Sequence, residues 1–589
     1  MEDALLLALA QAWLDGDPDP ETQAELARLI AAGAVDELRA CMLPPLVFGT
    51  AGLRAAVGAG AARMNRATVI RTTRGVADFL AAHRSDARVL PVVLGRDART
   101  SSKVLASDVL GVLGGARITV RYFAEPVPTP LVVYAARVLA ATAAVVVTAS
   151  HNPRGDNGYK LYLDDAVQLT APHDAAIEAA IERVGPAKSV PRTAPAAANA
   201  GPAVFRSEAL PLDVDAWFER YLTDGLASLG PREGGRLRIA YTPLHGVGWR
   251  FARRALERAG YADVRVVPEQ AAPDGAFPTT PFPNPEEPGT LALALAFAAG
   301  EQADLLLAND PDADRLAVAV PTPSGRFQAL TGNQLAALLA DARVPAVLPG
   351  AALSARPIVV TSVVTTPLVE AIAHARGARV ERTHTGFKWL WTAALALERS
   401  GEGRFAYACE EALGYALTPA VRDKDGILAA VAVADLAARL RRDGKSLLDR
   451  LHELYARFGT WASAQHNVSV PGRPVADAVR GVLDRAAAAS FDVLAGHAVR
   501  RVVDYRTVTL ARPRWLAAAP LVELELDGGR VLLRPSGTEP KLKIYVDLHT
   551  APGCGALPAA EERKLTLQAR AVARDLVAKL GLLSEDAGA

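Results

Sequence analysis

The feature that most limits the fold of this chain is a repeated pattern in which a short apolar run ends in a polar loop. Runs at 145–147, 304–308 and 405–409 each fit a buried strand, and helical patterns separate them. Strands that alternate with helices predict a mixed or parallel sheet covered by helices. In such sheets ligands bind beyond the carboxyl ends of the strands, so the polar loops are the first candidates for function.

The 589-residue length and this pattern predict about four domains. Apolar side chains in residues 1–40 recur at helical spacing, and the Pro/Ala-rich stretch 185–203 is typical of a linker or long surface loop. We predict three similar α/β domains and a different fourth domain. Their predicted boundaries are 1–205, 206–325, 326–464 and 465–589.

Two local signals refine the expected elements. Pro91 lies inside the strand candidate 89–94, which predicts either an edge position or a later start, because proline cannot donate to a strand ladder. Thr331 and Asn333 are both suited to cap the helix that follows them. A helical pattern at about 560–580 predicts a long closing helix.

Charge, cysteine content and hydropathy exclude several classes of protein. The chain has 65 Lys and Arg against 64 Asp and Glu, so it has no broad basic field for nucleic acid. Its three cysteines form no CxxC pair, which predicts unpaired thiols in a reducing compartment. The acidic first residues predict that there is no signal peptide, and no apolar run reaches the ~20 residues that span a bilayer. We therefore expect a cytoplasmic, soluble enzyme without nucleic-acid or membrane partners, as a monomer or a dimer.

The first polar loop, 148–160, combines a serine with a histidine, glycines and a lysine. Ser150 comes just after the predicted strand, where a hydroxyl can be presented rigidly to a substrate. No GxSxG pattern surrounds it, which disfavours an acyl-transfer hydrolase. The alternative is a turn rich in Asn, Gly and Pro with an idle serine. Ser150 is thus a candidate nucleophile.

The second loop carries Asp310, Asp312 and Asp314 at alternate positions, followed by Arg315. Alternating carboxylates can direct several oxygens at one centre, and Mg²⁺ binds through a few carboxylates together with phosphate oxygens. The later Gly and Glu of an EF-hand are missing. The loop is a candidate magnesium site in which Arg315 could hold a phosphate or orient the serine. The alternative is a solvated acidic loop.

Two later loops suggest anion and sugar binding. Residues 534–541 combine Arg534 with two hydroxyls and a glycine backbone, which suits a phosphate nest, although a strand-end turn with a surface arginine is the alternative. Glu410, at the end of the predicted strand 405–409, could accept hydrogen bonds from sugar hydroxyls. Lys424, between two aspartates, could carry protons or only form ion pairs.

Together these segments resemble the α-D-phosphohexomutase superfamily, which includes phosphoglucomutases and phosphomannomutases. The serine, metal, sugar and phosphate loops occur in the family's order, and residues 48–54 resemble its N-terminal motif. Residues 385–389 and 421–425 are similar to the subgroup that contains the longer phosphoglucomutases and the phosphopentomutases. The resemblance covers nearly the whole chain. It implies three Rossmann-like mixed α/β domains and a smaller α+β C-terminal domain around a central cleft.

The resemblance implies a mutase that carries phosphate on Ser150, with Mg²⁺ held by three aspartates and one phosphoserine oxygen. A sugar 1,6-bisphosphate would be the intermediate and activator, and it would turn end over end between two transfers. The implied catalytic residues are Ser150, Arg54, His151, Lys160 and Lys424. The implied metal ligands are Ser150, Asp310, Asp312 and Asp314. The implied substrate-binding residues are Arg315, His384, Lys388, Glu410, Arg534, Ser536, Gly537 and Thr538.

The resemblance leaves the sugar open. Interconversion of glucose 1-phosphate and glucose 6-phosphate is the first expectation, and mannose or pentose phosphates are alternatives. The family's sugar loop usually has serine where Ala412 stands and glycine where Cys409 stands, so one hydroxyl contact is missing. Two rivals of other classes are a metal-dependent sugar phosphatase and a non-catalytic sugar-phosphate sensor. The distal Arg534 loop argues against the first, and Ser150 with the three aspartates argues against the second.

Overall fold

The computed structural model shows two compact units, each assembled from two segments of the chain. Unit 1 is Met1–Leu330 with Gly414–Ala438, and unit 2 is Thr331–Leu413 with Arg439–Ala589. Among the described residues, no helix is long and apolar enough to cross a membrane. The structure describes residues 3–49, 52–83, 90–193, 209–348, 350, 352–470, 475–488, 491–509, 512–535, 541–553 and 558–582.

Unit 1 opens with helices, as the apolar spacing of residues 1–40 predicts. They are α1 (Asp3–Gly16), α2 (Pro20–Ala31) and α3 (Val35–Met42). Asp19 caps α2, because its side chain accepts a hydrogen bond from a backbone N–H of the first turn. The apolar faces of the three helices pack around Leu6, Leu26 and Leu38, which are fully buried. This helical layer therefore has a small core of its own.

The first sheet of unit 1 has six strands in the spatial order β1-β5-β4-β2-β3-β6. The strands are β1 (Leu53–Ala56), β2 (Val92–Arg96), β3 (Val120–Tyr122), β4 (Ala143–Val147), β5 (Asp156–Tyr162) and β6 (Ala209–Pro211). The accompanying helices are α4 (Arg66–His83), α5 (Ser102–Gly115), α6 (Thr129–Val138) and α7 (His173–Glu182). β2, β3, β4 and β6 are parallel, whereas β5 is antiparallel to β1 and β4. Because β4 is buried at every position, its sequence is a continuous apolar run.

The structure separates the two expectations for Pro91, which were a later strand start and an edge position. β2 starts at Val92, directly after the proline, so the later start is confirmed. The edge position is wrong, because β2 pairs with both β3 and β4 inside the sheet. The Pro91 carbonyl accepts a hydrogen bond from the Thr142 N–H at 3.0 Å, and the missing proline N–H falls outside the ladder. Residue 89 of the predicted strand lies outside the described residues.

The second sheet of unit 1 has five strands in the order β11-β10-β9-β7-β8. The strands are β7 (Ile239–Thr242), β8 (Val264–Val266), β9 (Leu305–Asn309), β10 (Leu316–Pro321) and β11 (Phe327–Ala329). The helices are α8 (Val214–Leu229), α9 (Gly248–Arg258) and α10 (Ala292–Gly300). β7, β8 and β9 are parallel, and β10 and β11 follow in antiparallel order. The β9–β10 turn thus places residues 310–315 at the carboxyl end of β9.

Unit 2 begins with a helix and a parallel sheet. Its first helices are α11 (Gly332–Arg343), α12 (Leu368–Ala375) and α13 (Phe387–Arg399). β12 (Pro357–Ser362) pairs in parallel with β13 (Arg379–Thr383) and β14 (Arg404–Glu410). Thr331 caps α11 in a capping box with Gln334, so the first of the two predicted caps is confirmed. Asn333 instead donates to Ser463 and accepts from the Thr366 N–H.

The remaining elements complete both units. β15 (Gly414–Ala416) and most of α14 (Gly426–Arg442) belong to unit 1. The last sheet of unit 2 is antiparallel, with strand order β16-β21-β20-β19-β18-β17. Its strands are β16 (Trp461–Ser469), β17 (Val493–Leu494), β18 (His497–Asp504), β19 (Val522–Leu526), β20 (Gly529–Pro535) and β21 (Lys541–His549). The helices of this part are α15 (Leu447–Phe458), α16 (Val475–Ala488) and α17 (Pro558–Lys579).

The predicted α/β class is confirmed: three sheets contain parallel strands with helices, and an antiparallel sheet with helices follows. The sequence pattern at 466–470 placed the start of β16 too late, because the strand begins at Trp461. Of the predicted linker 185–203, residues 194–203 lie outside the described residues. The four domain boundaries stay predictions.

The contact between α4 and α7 depends on Gly75. A Cβ at this position would lie 2.5 Å from Ile181 Cγ1 and 2.8 Å from the Ile181 backbone. We expect Gly75→Ala to destabilise unit 1 by about 1–3 kcal/mol, because the helix backbones must separate. Gly481 in α16 is the matched control, since its Cβ would meet only the Arg485 guanidinium at 3.8 Å. Gly481→Ala should be neutral or stabilising by up to about 1 kcal/mol. Urea unfolding measures both, and equal effects would contradict the packing argument.

Candidate active site

Ser150 lies at the carboxyl end of β4 and is 1 % exposed. Its φ of +51° is in the left-handed region, which residues with a side chain seldom adopt. The Ser150 N–H donates to Thr148 Oγ1 at 2.8 Å. Its own Oγ donates to Asp310 Oδ2 at 2.7 Å and lies 3.1 Å from His151 Nδ1. The turn therefore aims the hydroxyl from the first sheet at a carboxylate of the second.

The three aspartates of the β9–β10 turn converge. Asp310, Asp312 and Asp314 are fully buried, and one carboxylate oxygen from each lies within 4.8 Å of the others. Asp310 Oδ1 accepts a hydrogen bond from the Arg315 N–H at 2.9 Å. Thr129, at the start of α6, donates its hydroxyl to Asp312 Oδ2 at 2.6 Å and its N–H to the Asp312 carbonyl at 3.0 Å. The turn is thus fixed from both sheets of unit 1.

Two lysines neutralise part of this negative charge. Lys160 projects from β5, and its Nζ donates to Asp312 Oδ2 at 2.6 Å and to Asp314 Oδ2 at 2.7 Å. Lys424 Nζ lies 3.0 Å from Asp314 Oδ2 and 3.5 Å from Asp423 Oδ1. Lys160 is 1 % exposed, so this ion pair is screened very little by solvent.

The lysines divide the three carboxylates into two kinds. Burial and the neighbouring aspartates raise the pKa of Asp310 well above its ordinary value. Burial also raises the pKa of Asp312 and Asp314, but the lysine ion pairs outweigh it and leave both pKa values below the ordinary range. Burial lowers the pKa of Lys160, but its two aspartates outweigh this effect and raise that pKa. The carboxylate that faces Ser150 therefore has the least compensation for its negative charge among the three and holds a proton most readily.

The aspartate cluster fits a divalent cation. Asp312 Oδ1 and Asp314 Oδ1 are buried and have no hydrogen-bond partner among the described residues. A buried carboxylate oxygen without a partner is costly, and a hard cation would satisfy both oxygens. Within the described part of the chain, these three aspartates are also the one group of acidic, histidine or cysteine side chains whose spacing suits a metal ion.

The other candidate residues of unit 1 lie near the same cluster: Arg54 and His151, predicted to be catalytic, and Arg315, predicted to bind substrate. Arg54 Nη1 donates to Asn152 Oδ1 at 3.3 Å, within the serine loop. Arg315 Nη1 lies 3.4 Å from Glu286 Oε2. Burial, with Arg315 and Arg54 nearby, lowers the pKa of His151 well below its ordinary value, so its imidazole is neutral at pH 7. Arg54, Arg315 and His151 are therefore all in position to act near the serine and the aspartates.

Unit 2 contains the predicted sugar and phosphate residues. Glu410 ends β14, and its Oε1 accepts a hydrogen bond from the Gly386 N–H at 2.5 Å. His384 Nε2 lies 2.6 Å from the Ala517 carbonyl. The Lys388 ammonium lies 5.8 Å from the centre of the Trp389 ring. The substrate roles of these residues stay predictions.

The predicted phosphate loop is only partly described. Arg534 Nη1 donates to Thr385 Oγ1 at 2.5 Å. Ser536, Gly537 and Thr538 lie outside the described residues. Their role in binding a phosphate stays a prediction.

Sequence reasoning missed several members of the site in unit 1. Tyr162 Oη donates to Asp423 Oδ2 at 2.5 Å, beside Lys424. Lys160 and Tyr162 are two residues apart and therefore share one face of a strand, which is a signal for Tyr162, but the turn formers at 156–158 predict a loop there instead. Thr129 carried no such signal, because it meets Asp312 only through the tertiary fold.

Comparison with known proteins gives a consistent result over the chain. Models of the phosphoglucomutase/phosphomannomutase alpha/beta/alpha domains I, II and III match residues 45–188, 219–325 and 331–458, and the model of the C-terminal domain matches 500–563. A phosphopentomutase of Homo sapiens is 34% identical over 573 residues, with 94% of this chain and 93% of that protein covered. The chain belongs to the phosphoglucomutase/phosphomannomutase family.

Two further likenesses agree with membership of this phosphohexomutase family. A glucose 1,6-bisphosphate synthase of Homo sapiens is 32% identical, with 92% of this chain and 89% of that protein covered. The open form of parafusin, a phosphoglucomutase from Paramecium, matches with a TM-score of 0.66 at 17% identity, covering 91% of this chain and 96% of that one. At that identity the structural match supports the fold. The predicted family and its mutase class are confirmed.

Lys160 should hold the aspartate cluster together when no metal is bound. We expect Lys160→Met to lower the free energy of unfolding by about 3–5 kcal/mol in a chelating buffer, because buried Asp312 loses its cationic partner and buried Asp314 keeps only Lys424. Added Mg²⁺ should restore part of this loss by replacing the missing charge. Lys103→Met, at an exposed position of α5, is the control and should change little. Urea unfolding with and without Mg²⁺ measures these free energies. A Lys160→Met protein as stable as the parent in chelator would contradict the stabilising role of Lys160.

Proposed function

We propose that this protein is a phosphosugar mutase in which Ser150 carries the transferred phosphoryl group. The observation that carries the proposal is the contact of a buried serine hydroxyl with a buried aspartate cluster, 2.7 Å from Ser150 Oγ to Asp310 Oδ2. A nucleophile needs a rigid position, and phosphoryl transfer needs positive charge beside the moving group. The site supplies the first through the serine turn and can supply the second through Lys160, Lys424 and a bound cation.

The proposed transfer begins with a sugar 1,6-bisphosphate. Ser150 Oγ forms a bond to phosphorus while the bond between phosphorus and the sugar oxygen breaks, and the serine proton ends on the released sugar oxygen. The released monophosphate is the product. In the second step the isomeric monophosphate binds with its free hydroxyl facing Ser150. Its hydroxyl oxygen forms a bond to phosphorus while the bond between phosphorus and Ser150 Oγ breaks, its proton ends on Ser150 Oγ, and the bisphosphate forms again. Mg²⁺ on Asp310, Asp312 and Asp314 would stabilise the negative charge of the transferring group. Lys160 and Lys424 hold two of these carboxylates in place.

Glucose phosphates are the proposed first substrate, and mannose or pentose phosphates are the alternatives. The glucose 1,6-bisphosphate synthase and the phosphopentomutase among the relatives support glucose and pentose phosphates respectively. The deciding assay offers glucose 1-, mannose 1- and ribose 1-phosphate with catalytic sugar bisphosphate, and records isomer and inorganic phosphate together. Predominant phosphate release would favour the sugar phosphatase instead. The cytoplasmic location and the monomeric or dimeric state stay predictions.

Replacing the nucleophile tests the proposal directly. Ser150→Ala should abolish mutase turnover, because no other hydroxyl occupies its place, and should leave the melting temperature close to that of the parent. Labelled sugar bisphosphate should mark Ser150 in the parent and not in the variant, as read by intact mass and peptide mapping. Ser107→Ala, on the exposed face of α5, controls for the substitution. Near-normal turnover of Ser150→Ala would refute the scheme.

We propose that Arg534 binds the phosphate group of the substrate that does not react. We expect Arg534→Ala to raise the KM for sugar monophosphates about 10–100-fold, because a charge-assisted hydrogen bond to phosphate contributes about 1.5–3 kcal/mol. Arg500→Ala is the control, since that arginine is exposed in the same sheet and pairs with Asp527. Steady-state kinetics on the preferred sugar phosphate measure both variants. An unchanged KM in Arg534→Ala would remove the assigned role.

A further inference from the structure

A buried arginine, Arg99, donates hydrogen bonds to the backbone of the serine loop, residues 148–160. Arg99 is 3 % exposed and follows β2. Its Nη2 donates to the carbonyls of Ser150 at 2.7 Å and Asn152 at 2.6 Å. Its Nη1 donates to the carbonyls of Pro153 at 2.8 Å and Asp156 at 2.9 Å. One guanidinium thus satisfies four carbonyls of the loop that presents the nucleophile.

This convergence needs an arginine. Without Arg99, the Ser150, Asn152 and Asp156 carbonyls would lose this donor. The Pro153 carbonyl would keep only the Asp156 N–H at 3.0 Å. Each buried carbonyl without a donor is costly. A planar guanidinium has five N–H donors in a fixed fork, whereas a lysine ammonium has three donors around one atom. Lysine could keep the positive charge at this place but not the four bonds.

Asp97 ties the arginine to the other side of the serine. Its Oδ1 accepts hydrogen bonds from the Arg99 N–H at 3.0 Å and from Ser102 Oγ at 2.5 Å. Its Oδ2 accepts from Thr148 Oγ1 at 2.6 Å and lies 3.4 Å from Arg99 Nε. Because Thr148 Oγ1 in turn accepts from the Ser150 N–H, Asp97 and Arg99 together fix the backbone on both sides of the nucleophile.

A loop of the second sheet covers the same arginine. The Arg99 Cζ lies 5.1 Å from the centre of the Phe277 ring. A Cβ at Gly275 would lie 2.5 Å from the Thr100 backbone nitrogen, so the two loops pack at backbone distance. The Arg154 N–H also donates to the Pro281 carbonyl at 2.9 Å. Arg99 is therefore enclosed by Asp97 on one side and by this loop on the other.

We infer that Arg99 is a positioning residue for phosphoryl transfer, acting through the backbone of Ser150. The inference rests on the proposed role of Ser150. The left-handed φ of Ser150 is uncommon and persists only where surrounding contacts hold it. Its N–H and its carbonyl are both held by this network, and the direction of Oγ toward Asp310 follows from them. The Arg99 guanidinium donates to backbone carbonyls, and it takes no part in the hydrogen bond between Ser150 Oγ and Asp310.

The test compares Arg99→Lys with Arg71→Lys. Arg71 is also partly buried in unit 1 and donates to a backbone carbonyl, that of Val184, so it controls for the substitution. We expect Arg99→Lys to lower kcat about 100-fold, since a displacement of about 1 Å of a reacting group can cost that much. The KM for the sugar monophosphate should stay within about twofold, because Arg99 does not bind substrate. The rate at which labelled sugar bisphosphate phosphorylates Ser150 should fall by the same factor as kcat.

Phe277→Leu provides a second variant in case Arg99→Lys does not fold. It keeps the guanidinium and removes only the ring that covers it, so kcat should fall by a smaller factor, again with KM unchanged. Labelling of Ser150 at the parent rate in a folded Arg99→Lys or Phe277→Leu protein would refute the inference alone. An equal loss of kcat in Arg71→Lys would also refute it, because the effect would then be general destabilisation. Absence of label on Ser150 in the parent protein would refute the proposed function and the inference with it.

Discussion

The burial of Asp312 and Asp314 against Lys160, beside Asp310, is the interaction on which the rest of unit 1 depends. The aspartates come from the turn between β9 and β10 of the second sheet, and the lysine comes from β5 of the first. The ion pairs therefore join the two sheets at the point where Ser150 and the aspartates meet. Replacing a buried ion pair by apolar side chains often leaves a protein as stable or more stable, whereas removing one partner is costly. Stability alone does not require such a cluster, which favours a chemical role for it.

The cluster is also asymmetric in a way that matters for chemistry. Lys160 and Lys424 bind Asp312 and Asp314, and Asp310 is left to face Ser150. The lysine ion pairs hold the pKa values of the first two below the ordinary range, and each keeps one buried oxygen without a partner among the described residues. The lysines thus reduce the repulsion between the buried carboxylates when no metal is bound. They pair with the Oδ2 atoms and leave the two Oδ1 atoms available to a metal. A site built in this way can fold before the metal binds.

The sequence predicts the elements of this site better than it predicts their contacts. Continuous apolar runs identify β4 and β9, and the polar residues after them identify Ser150 and the aspartates, because both signals are local. The sequence pattern predicts that residues 156–160 belong to a loop, since Asp156 to Gly158 are turn formers. Antiparallel pairing with β1 and β4 overrides that preference and makes them part of β5. Arg99 could not be identified, because four carbonyls converge on it only after the serine loop has closed.

The residues proposed for transfer belong to unit 1, and those proposed for recognition belong to unit 2 except Arg315. Ser150, the three aspartates, Lys160 and Lys424 are all in unit 1, and the clamp formed by Asp97 and Arg99 is there as well. Glu410, His384, Lys388 and Arg534 are all in unit 2. Ala412, where the resemblance implies serine, also belongs to unit 2, and none of the contacts of Ser150 and the aspartates described above involves it. Under the proposed roles, substitutions in unit 2 would change sugar preference while Ser150, the clamp formed by Asp97 and Arg99 and the aspartate cluster stay the same.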